Sequence, residues 1–481
     1  MNYKAIIKIN GKILILVSAL MLPAMLISLF CGEREAAIGI LISAAITAAF
    51  GAAGSLIKSD GEINAGEGII AVGFAWILVS LFGALPYKLS GSIPKFIDCF
   101  FETVSGFTTT GSSILSEIES LPKGILYWRS FSQWLGGMGV LVFILAFAAL
   151  TNKNSGESMH LLRAESPGIR TSKLVPRMKR SSAILYGIYF GMTIAQFLLL
   201  ILGSVPVFDS LTISFATAGT GGFSIRNDSF ASYSSYAKWV TTVFMLLYGV
   251  NFSIYYMLLL GKIKKAISSE ELRNYLLIVL IAIAAICINC LHIFASAGEN
   301  IREVAFTVVS VITTTGFVSA NYDLWPVFSR TILVLIMLCG AMAGSTGGGM
   351  KVVRITLAFK AVRKTVYKAL HPNAVNVMRM DGEIVSDDEI DAVEGFFILY
   401  FIIAAAACLI ISIDGKSLMS NLTAVITCLS NVGPGMEEVG ATANFASFSP
   451  LSKLILSICM LTGRLELFPI IALIMPSSYK K

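Results

Sequence analysis

The sequence predicts an all-α, polytopic membrane protein built from four similar units, and three observations lead to this prediction. Of its 481 residues, 56% are apolar and only 14% are charged, whereas soluble proteins average about 25% charged residues. The mean hydropathy is +0.79, and the few charges are clustered, so that long segments carry almost none. One glycine-containing motif also recurs four times along the chain.

A helix needs roughly 20 apolar residues to cross the hydrocarbon core of a bilayer. The first apolar segment of the chain, at about 13–30, follows three lysines in the manner of a signal peptide, but its apolar core is too long and no small-residue cleavage site follows. We therefore expect it to be retained as a helix. Ten segments qualify as spans, at about 13–30, 36–57, 68–87, 131–152, 181–208, 239–261, 274–298, 331–350, 395–413 and 454–478.

Basic residues are concentrated in alternate loops. The segments 151–180 and 351–380 each carry seven lysines or arginines, and 262–273 is also basic. The intervening loops hold at least as many acids as bases. Because short basic loops stay on the cytoplasmic side of a membrane, both termini are predicted to be cytoplasmic. The net charge of +7 therefore needs no nucleic-acid partner to explain it.

The recurring motif lies in the four acidic loops. An acidic residue stands thirteen positions before the aligned glycine in three copies, as Asp98, Asp209 and Glu303, and Ser420 takes that place in the fourth. A repeat of this length predicts one structural unit per copy: a span, a half-helix, a glycine-containing turn and a second span. Two extra helices precede the four units. The copies read DCFFETVSGFTTTGSS (98–113), DSLTISFATAGTGGFS (209–224), EVAFTVVSVITTTGFV (303–318) and SNLTAVITCLSNVGPG (420–435).

Such a unit brings polar backbone to membrane depth, where it must be buried in protein or line a water-filled cavity. The acid suits the positive N-terminal end of a half-helix. Glycine permits the backbone angles that aim carbonyls at a common axis, as in potassium-channel filters. The alternative is that these small residues only allow close helix packing. The predicted cation filter comprises Thr108, Thr109, Thr110, Gly111, Thr220, Gly221, Gly222, Thr313, Thr314, Thr315, Gly316, Ser430, Asn431, Val432 and Gly433.

Six segments carry a family resemblance: SGFTTTGSS (105–113), WRSFSQWLGGMGV (128–140), GTGGFS (219–224), TTTGF (313–317), AGSTGGGMK (343–351) and SNVGPG (430–435). With these segments in order, the chain resembles over nearly its full length the Trk/Ktr/HKT superfamily of potassium transporters, specifically a TrkH-like pore-forming subunit. The resemblance implies K⁺ uptake across the bacterial cytoplasmic (inner) membrane. It also implies a pseudo-fourfold pore with the units at 1–62 (two N-terminal helices), 63–160, 161–265, 266–380 and 381–481.

The same resemblance implies a homodimer that binds a cytosolic TrkA-like, nucleotide-binding regulatory subunit. We expect no cofactor in this chain: K⁺ is the transported ion, and the nucleotide belongs to the separate subunit. In plant relatives a serine at the first filter glycine goes with sodium preference, so Gly111 favours K⁺. The second and fourth copies depart from TTTGF, with GTGGF and SNVGP.

The segment GAMAGSTGGGMK (340–351) differs from a nucleotide-binding P-loop, because Met350 precedes Lys351 and no strand comes before it. So many small residues predict a broken membrane helix that lines a cavity. By resemblance this is an intramembrane gate loop, and Arg464 points into the pore and contacts it. The alternatives are a glycine-rich packing site and an arginine paired with another acid or with carbonyls. The predicted gate residues are Gly344, Ser345, Thr346, Gly347, Gly348, Gly349 and Arg464.

Three classes of function remain after these observations. A K⁺-selective pore uses all four copies of the motif. A symporter coupled to H⁺ or Na⁺, or a secondary transporter of another cation, would bind its ion at broken helices in mid-membrane. A membrane enzyme would need a catalytic acid, histidine or metal set at that depth, and the sequence offers none, so we expect no enzymatic activity. The residues do not decide between a passive pore and ion-coupled transport.

Overall fold

The computed structural model describes residues 1–58, 64–139, 178–373 and 377–475. Within these ranges the protein is nearly all helical, which confirms the predicted fold class. The strands found there form one short antiparallel hairpin, β1 (Arg379–Met380) with β2 (Glu383–Ile384). Most of the predicted basic segment 151–180 and the second half of the predicted span 131–152 lie outside the described residues.

Two long helices come first and pack against each other as a hairpin, α1 (Tyr3–Phe30) and α2 (Arg34–Ser55). Their backbones approach closely at glycines: a Cβ built on Gly11 would lie 2.5 Å from Ser55 N and 2.7 Å from Gly51 O. Small residues at such a crossing allow the van der Waals contact that holds membrane helices together.

The remaining helices of the described residues form four successive series, and in each series one helix of 12–16 residues leads into a copy of the glycine motif. The first series is α3 (Ala65–Gly83), α4 (Leu85–Leu89), α5 (Phe96–Phe107) and α6 (Lys123–Gly137). The second is α7 (Met178–Leu202), α8 (Val207–Ala218), α9 (Ser235–Tyr248), α10 (Phe252–Leu259) and α11 (Ile263–Ile267). The third is α12 (Glu270–Asn289), α13 (Ala297–Ile312), α14 (Val327–Cys339) and α15 (Val352–Leu370). The fourth is α16 (Asp387–Ile411), α17 (Leu418–Ser430), α18 (Pro450–Arg464) and α19 (Phe468–Ile474).

The described residues do not contain the ten uninterrupted spans that the sequence predicted. Six of their helices are long and apolar enough to cross a membrane, or seven if the bent pair α9 and α10 counts as one span. That pair bends by 90°, the predicted span 331–350 leaves its helix after Cys339, and the predicted span 454–478 breaks after Arg464. Positive φ angles at Gly340 and Leu467 accompany the last two breaks. Apolar windows did not reveal these breaks because they measure hydropathy, whereas the breaks depend on backbone conformation.

The short helices α5, α8, α13 and α17 (the half-helices) have 12, 12, 16 and 13 residues, too few to cross. The first turns of α5 and α8 contain Asp98 and Asp209, as predicted. For Glu303 the prediction is wrong, because Ser296 caps α13 and starts the helix seven residues before this acid. The Glu303 carboxylate instead pairs with Lys238 of the preceding series, at 2.9 Å.

Candidate functional site: four turns that meet in a ring

The C-terminal ends of the four half-helices lead into turns with one shared hydrogen-bond pattern. In each turn, the N–H one residue before the aligned glycine donates to the carbonyl five residues earlier, at 2.8–2.9 Å. Such bonds satisfy carbonyls that a helix C-terminus leaves open. The repeat seen in the sequence thus extends to the backbone. The bonds join Thr110 to Ser105, Gly221 to Ala216, Thr315 to Ser310 and Val432 to Thr427.

Each turn also places two residues in the left-handed backbone region. The residue two before the aligned glycine has a φ of 51–57°, and the glycine itself has a φ of 71–106°. A non-glycine residue there costs about 1–3 kcal/mol and persists where the surroundings impose it, commonly at functional sites. Four repetitions of this strain indicate a shared functional requirement. The residues are Thr109, Thr220, Thr314 and Asn431, with Gly111, Gly222, Gly316 and Gly433.

The four aligned glycines lie against one another's turns in a closed ring, called here the glycine ring. A Cβ built on Gly111 would lie 2.1 Å from the carbonyl oxygen of Gly221 in the second turn. A Cβ on Gly222 would meet the third turn, one on Gly316 the fourth, and one on Gly433 the first. The approaches close a cycle of four, so any side chain here would collide with backbone. The other three distances are 1.9 Å to Thr315 O, 2.1 Å to Val432 O and 2.7 Å to Thr110 O.

The hydroxyls of the predicted filter form hydrogen bonds within their own turns or with neighbouring helices. All the predicted threonines, Ser430 and Asn431 are at most 1% exposed. Thr220 Oγ1 donates to Gly219 O at 2.6 Å, and Ser430 shares a hydrogen bond of 2.7 Å with Tyr400 of α16. The side chains therefore brace the turns, which leaves backbone carbonyls as the oxygens closest to the glycine ring.

On one side the ring opens into a cavity of about 100 Å³ that all four glycines line. Arg129 of α6 also lines this cavity, and it forms a buried ion pair at 2.7 Å with Glu102 of α5. Glu102 also accepts hydrogen bonds from Ser113 and Ile114, just after the first turn. Arg129 donates to Ser224 O at 2.6 Å, just after the second turn. This pair ties two turns together, and sequence reasoning missed it because the partners stand on different helices.

The segment 340–351 (the glycine-rich loop) packs directly against the third and fourth turns. Gly348 N donates to Thr314 Oγ1 at 2.6 Å. A Cβ built on Gly348 would lie 2.3 Å from Ser430 O, and one on Gly347 would lie 2.9 Å from Thr313 O. The second series holds the loop's other end, since Phe252 N donates to Gly344 O at 3.0 Å. The loop therefore contacts three of the four series at once.

Arg464 lies in the last turn of α18 and links the glycine-rich loop to the end of α6. Its guanidinium donates to Thr346 O of the glycine-rich loop at 2.8 Å and to Gly137 O at the end of α6 at 2.7 Å, with Gly136 O also accepting. Glu466 forms an ion pair with Arg354 of α15. The helix ends between Arg464 and Glu466, so their side chains point in different directions.

Lys351 is a further residue that the sequence did not single out. It is 7% exposed, has a φ of 73°, and its ammonium donates to Gly347 O within the glycine-rich loop. Its position as the first charged residue after the run of glycines was the available sequence signal. With Arg464 and Arg354 it places three cations near the loop, against the carboxylates of Glu466 and Glu271.

Fold and site together define a polytopic membrane protein in which four re-entrant turns meet at one point. The chain belongs to the TrkH family of cation transport proteins, which matches residues 37–479. It is 34% identical to the Trk system potassium uptake protein TrkH of Salmonella typhimurium and to that of Escherichia coli K12, over all of each chain. It is 31% identical to the Trk system potassium uptake protein TrkG of Escherichia coli K12, over 96% of both chains. The crystal structure of the potassium transporter TrkH from Vibrio parahaemolyticus superposes with a TM-score of 0.89 at 29% identity, covering both chains fully.

Proposed function

We propose that this protein takes up K⁺ across the cytoplasmic membrane through a selective pore whose filter is the glycine ring and its four turns. The closed ring carries the proposal. Its members are backbone groups held at φ values that strain non-glycine residues, and a K⁺ filter needs carbonyl oxygens held close to one axis in place of the ion's water. Potassium is also the cargo named for the relatives that match over the whole chain.

The glycine-rich loop, residues 344–349 above all, is the proposed gate. Its contacts with Thr314 and with the carbonyls of Thr313 and Ser430 put it beside the turns, where it would obstruct an ion leaving the filter. Glycines give it little side-chain packing to lose when it moves. Arg464 holds it through Thr346 O and adds a positive charge that opposes a cation nearby.

The proposal extends to assembly and location. The chain would lie in a bacterial inner membrane with both termini in the cytoplasm, as a homodimer. A cytosolic nucleotide-binding subunit of the TrkA type would regulate it, docking on the basic cytoplasmic loops. The relatives' description as parts of a Trk system supports a separate partner. Pull-down from native membranes tests this assembly, and recovery of the chain alone in mild detergent would count against it.

The filter is tested by Gly111→Ser in proteoliposomes, with reversal potentials measured in mixed K⁺ and Na⁺. The new Cβ would collide with the Gly221 carbonyl at 2.1 Å, so the ring must shift to accept it. We expect Na⁺ to permeate as a result, with K⁺ preference reduced by about tenfold or more, which corresponds to about 1.4 kcal/mol.

Gly191→Ser is the matched control, because a Cβ on Gly191 of α7 meets nothing within 4 Å. It should conduct like the unmodified protein. If folded Gly111→Ser keeps its K⁺/Na⁺ selectivity, the glycine ring is not the filter. Flux that follows an imposed H⁺ or Na⁺ gradient would instead identify the protein as a symporter.

A further inference from the structure

The second turn lacks the side-chain tie that the first and third turns share. In those two turns, the threonine hydroxyls one and three residues before the aligned glycine lie 2.7 and 2.8 Å apart. The equivalent positions of the second turn are Gly219 and Gly221, which carry no hydroxyl. Two glycines around the strained Thr220 also leave this backbone freer than its counterparts. Something else must hold the second turn in the shape that all four share.

Gln133, from α6 of the first series, occupies the place of the missing hydroxyls. Its Nε2 donates to Gly221 O at 2.7 Å, and its Oε1 accepts from Phe223 N at 3.0 Å. The side chain is fully buried. A Cβ built on Gly221 would lie only 2.4 Å from Gln133 Cδ. The space holds either a threonine of the turn or this glutamine, but not both.

The other three series carry methionine where the first carries Gln133. The position is the eleventh residue after the N-cap of the helix that follows each turn, and all four side chains there are fully buried. Methionine fills such a place without polar bonds. The polar residue thus occurs beside the turn in which both of these positions are glycine. Counting from Pro122, Ser234, Pro326 and Ser449, the position holds Gln133, Met245, Met337 and Met460.

The fourth turn shows the same substitution of an amide for a hydroxyl pair. Its equivalent positions are Ser430 and Val432, which also cannot form the pair. Here the Asn431 side chain donates to Thr110 Oγ1 and to Met460 O, both at 2.9 Å. Both turns without a threonine pair are therefore held by a carboxamide that bonds outside its own repeat.

We propose that Gln133 is the positioning residue of the filter's second quarter, setting the direction of the Gly221 carbonyl. The inference rests on the proposed function, because it assumes that the ring carbonyls face the ion. Gly221 O lies in the ring against Gly111, so a rotation of this peptide changes one of the oxygens that replace the hydration shell. Sites of this kind tolerate displacements of about 0.5 Å before function suffers.

Gln133→Met, which installs the residue of the other three series, tests the inference. Two buried hydrogen bonds disappear while the volume is nearly kept, so the second turn should stay folded but lose its fixed carbonyl. In proteoliposomes we expect the K⁺/Na⁺ permeability ratio to fall at least about tenfold, or about 1.4 kcal/mol. If Gln133→Met fails to fold, the isosteric Gln133→Glu keeps an acceptor for Phe223 N but puts a carboxylate oxygen, which repels the Gly221 carbonyl, in place of the amide donor, and the ratio should fall there too.

Gln196→Met is the matched control. Gln196 is equally buried and donates at 2.9 Å to Thr217 Oγ1 within the half-helix α8, so its loss weakens the same series without touching a filter carbonyl. Its permeability ratio should stay at the unmodified value. A fall of similar size in this control would reduce Gln133 to a general stabilising residue and overturn the inference.

A reciprocal pair of variants tests the direct contact. Gly221→Thr alone drives a Cβ into Gln133 and should reduce K⁺ flux strongly, whereas adding Gln133→Ala clears the space and should restore much of it. A double variant no better than Gly221→Thr would contradict the contact. Unchanged selectivity in a conducting Gln133→Met overturns the inference and leaves the proposed pore standing. Absence of K⁺-selective flux in the unmodified protein would overturn the proposed function itself.

Discussion

Replacing Arg464 with alanine is the most direct test of the proposed gate. The guanidinium bonds the glycine-rich loop at Thr346 O and the end of α6 at Gly136 O and Gly137 O. Arg464→Ala cuts the link between the two structures and removes a positive charge. Both effects favour cation passage, so basal K⁺ flux should rise.

The structure sets the size of the effect. The guanidinium donates to Thr346 O of the loop, and a hydrogen bond to a charged group contributes about 1.5–3 kcal/mol. If the bond exists only when the loop is closed, its loss shifts the closed–open balance by roughly ten- to 150-fold. Loss of the charge adds to this in the same direction. Arg464→Lys keeps the charge but not the planar fork, and should give an intermediate flux.

The assay is K⁺ flux into proteoliposomes without any partner protein, with reversal potentials recorded on the same preparations. Arg330→Ala serves as the control, because Arg330 lies in the first turn of α14, at the end of that helix away from the loop. The reasoning is refuted if folded Arg464→Ala conducts like the unmodified protein. A changed K⁺/Na⁺ ratio would refute it too, since in the proposed function the glycine-rich loop controls the flux and the glycine ring selects the ion.

Two further predictions concern the same elements. Deleting 347–349 removes the contacts with Thr314, so K⁺ flux should rise several-fold at an unchanged permeability ratio; a lower flux in vesicle assays would contradict the gate. Glu102→Ala leaves Arg129 charged and buried, which should destabilise the protein by about 3–5 kcal/mol. The exposed pair Lys364–Asp387 contributes under about 1 kcal/mol; unfolding temperatures in detergent should therefore fall clearly for Glu102→Ala and little for Lys364→Ala.

Several features followed from the sequence because their causes are local. Apolar windows marked where helices lie in the membrane, although not where they break. The aligned glycines predicted four equivalent turns, since a glycine at positive φ is a property of one residue and its neighbours. The glycine-rich run near 344–349 likewise predicted an interrupted helix, and the chain does leave its helix there.

Side-chain partners across the turns could not be predicted, because they depend on how separate helices pack. Glu102 and Arg129, or Gln133 and Gly221, stand on different elements, and no periodicity relates them. Even Glu303, placed by alignment at a helix end, sits in mid-helix, since a capping serine further upstream decides where α13 begins. The sequence by itself determined a fourfold membrane protein with glycine turns at fixed positions. Only the tertiary structure decided which side chains hold those turns, because a hydrogen bond needs its partners within about 3 Å, and that proximity arises only when the repeats assemble.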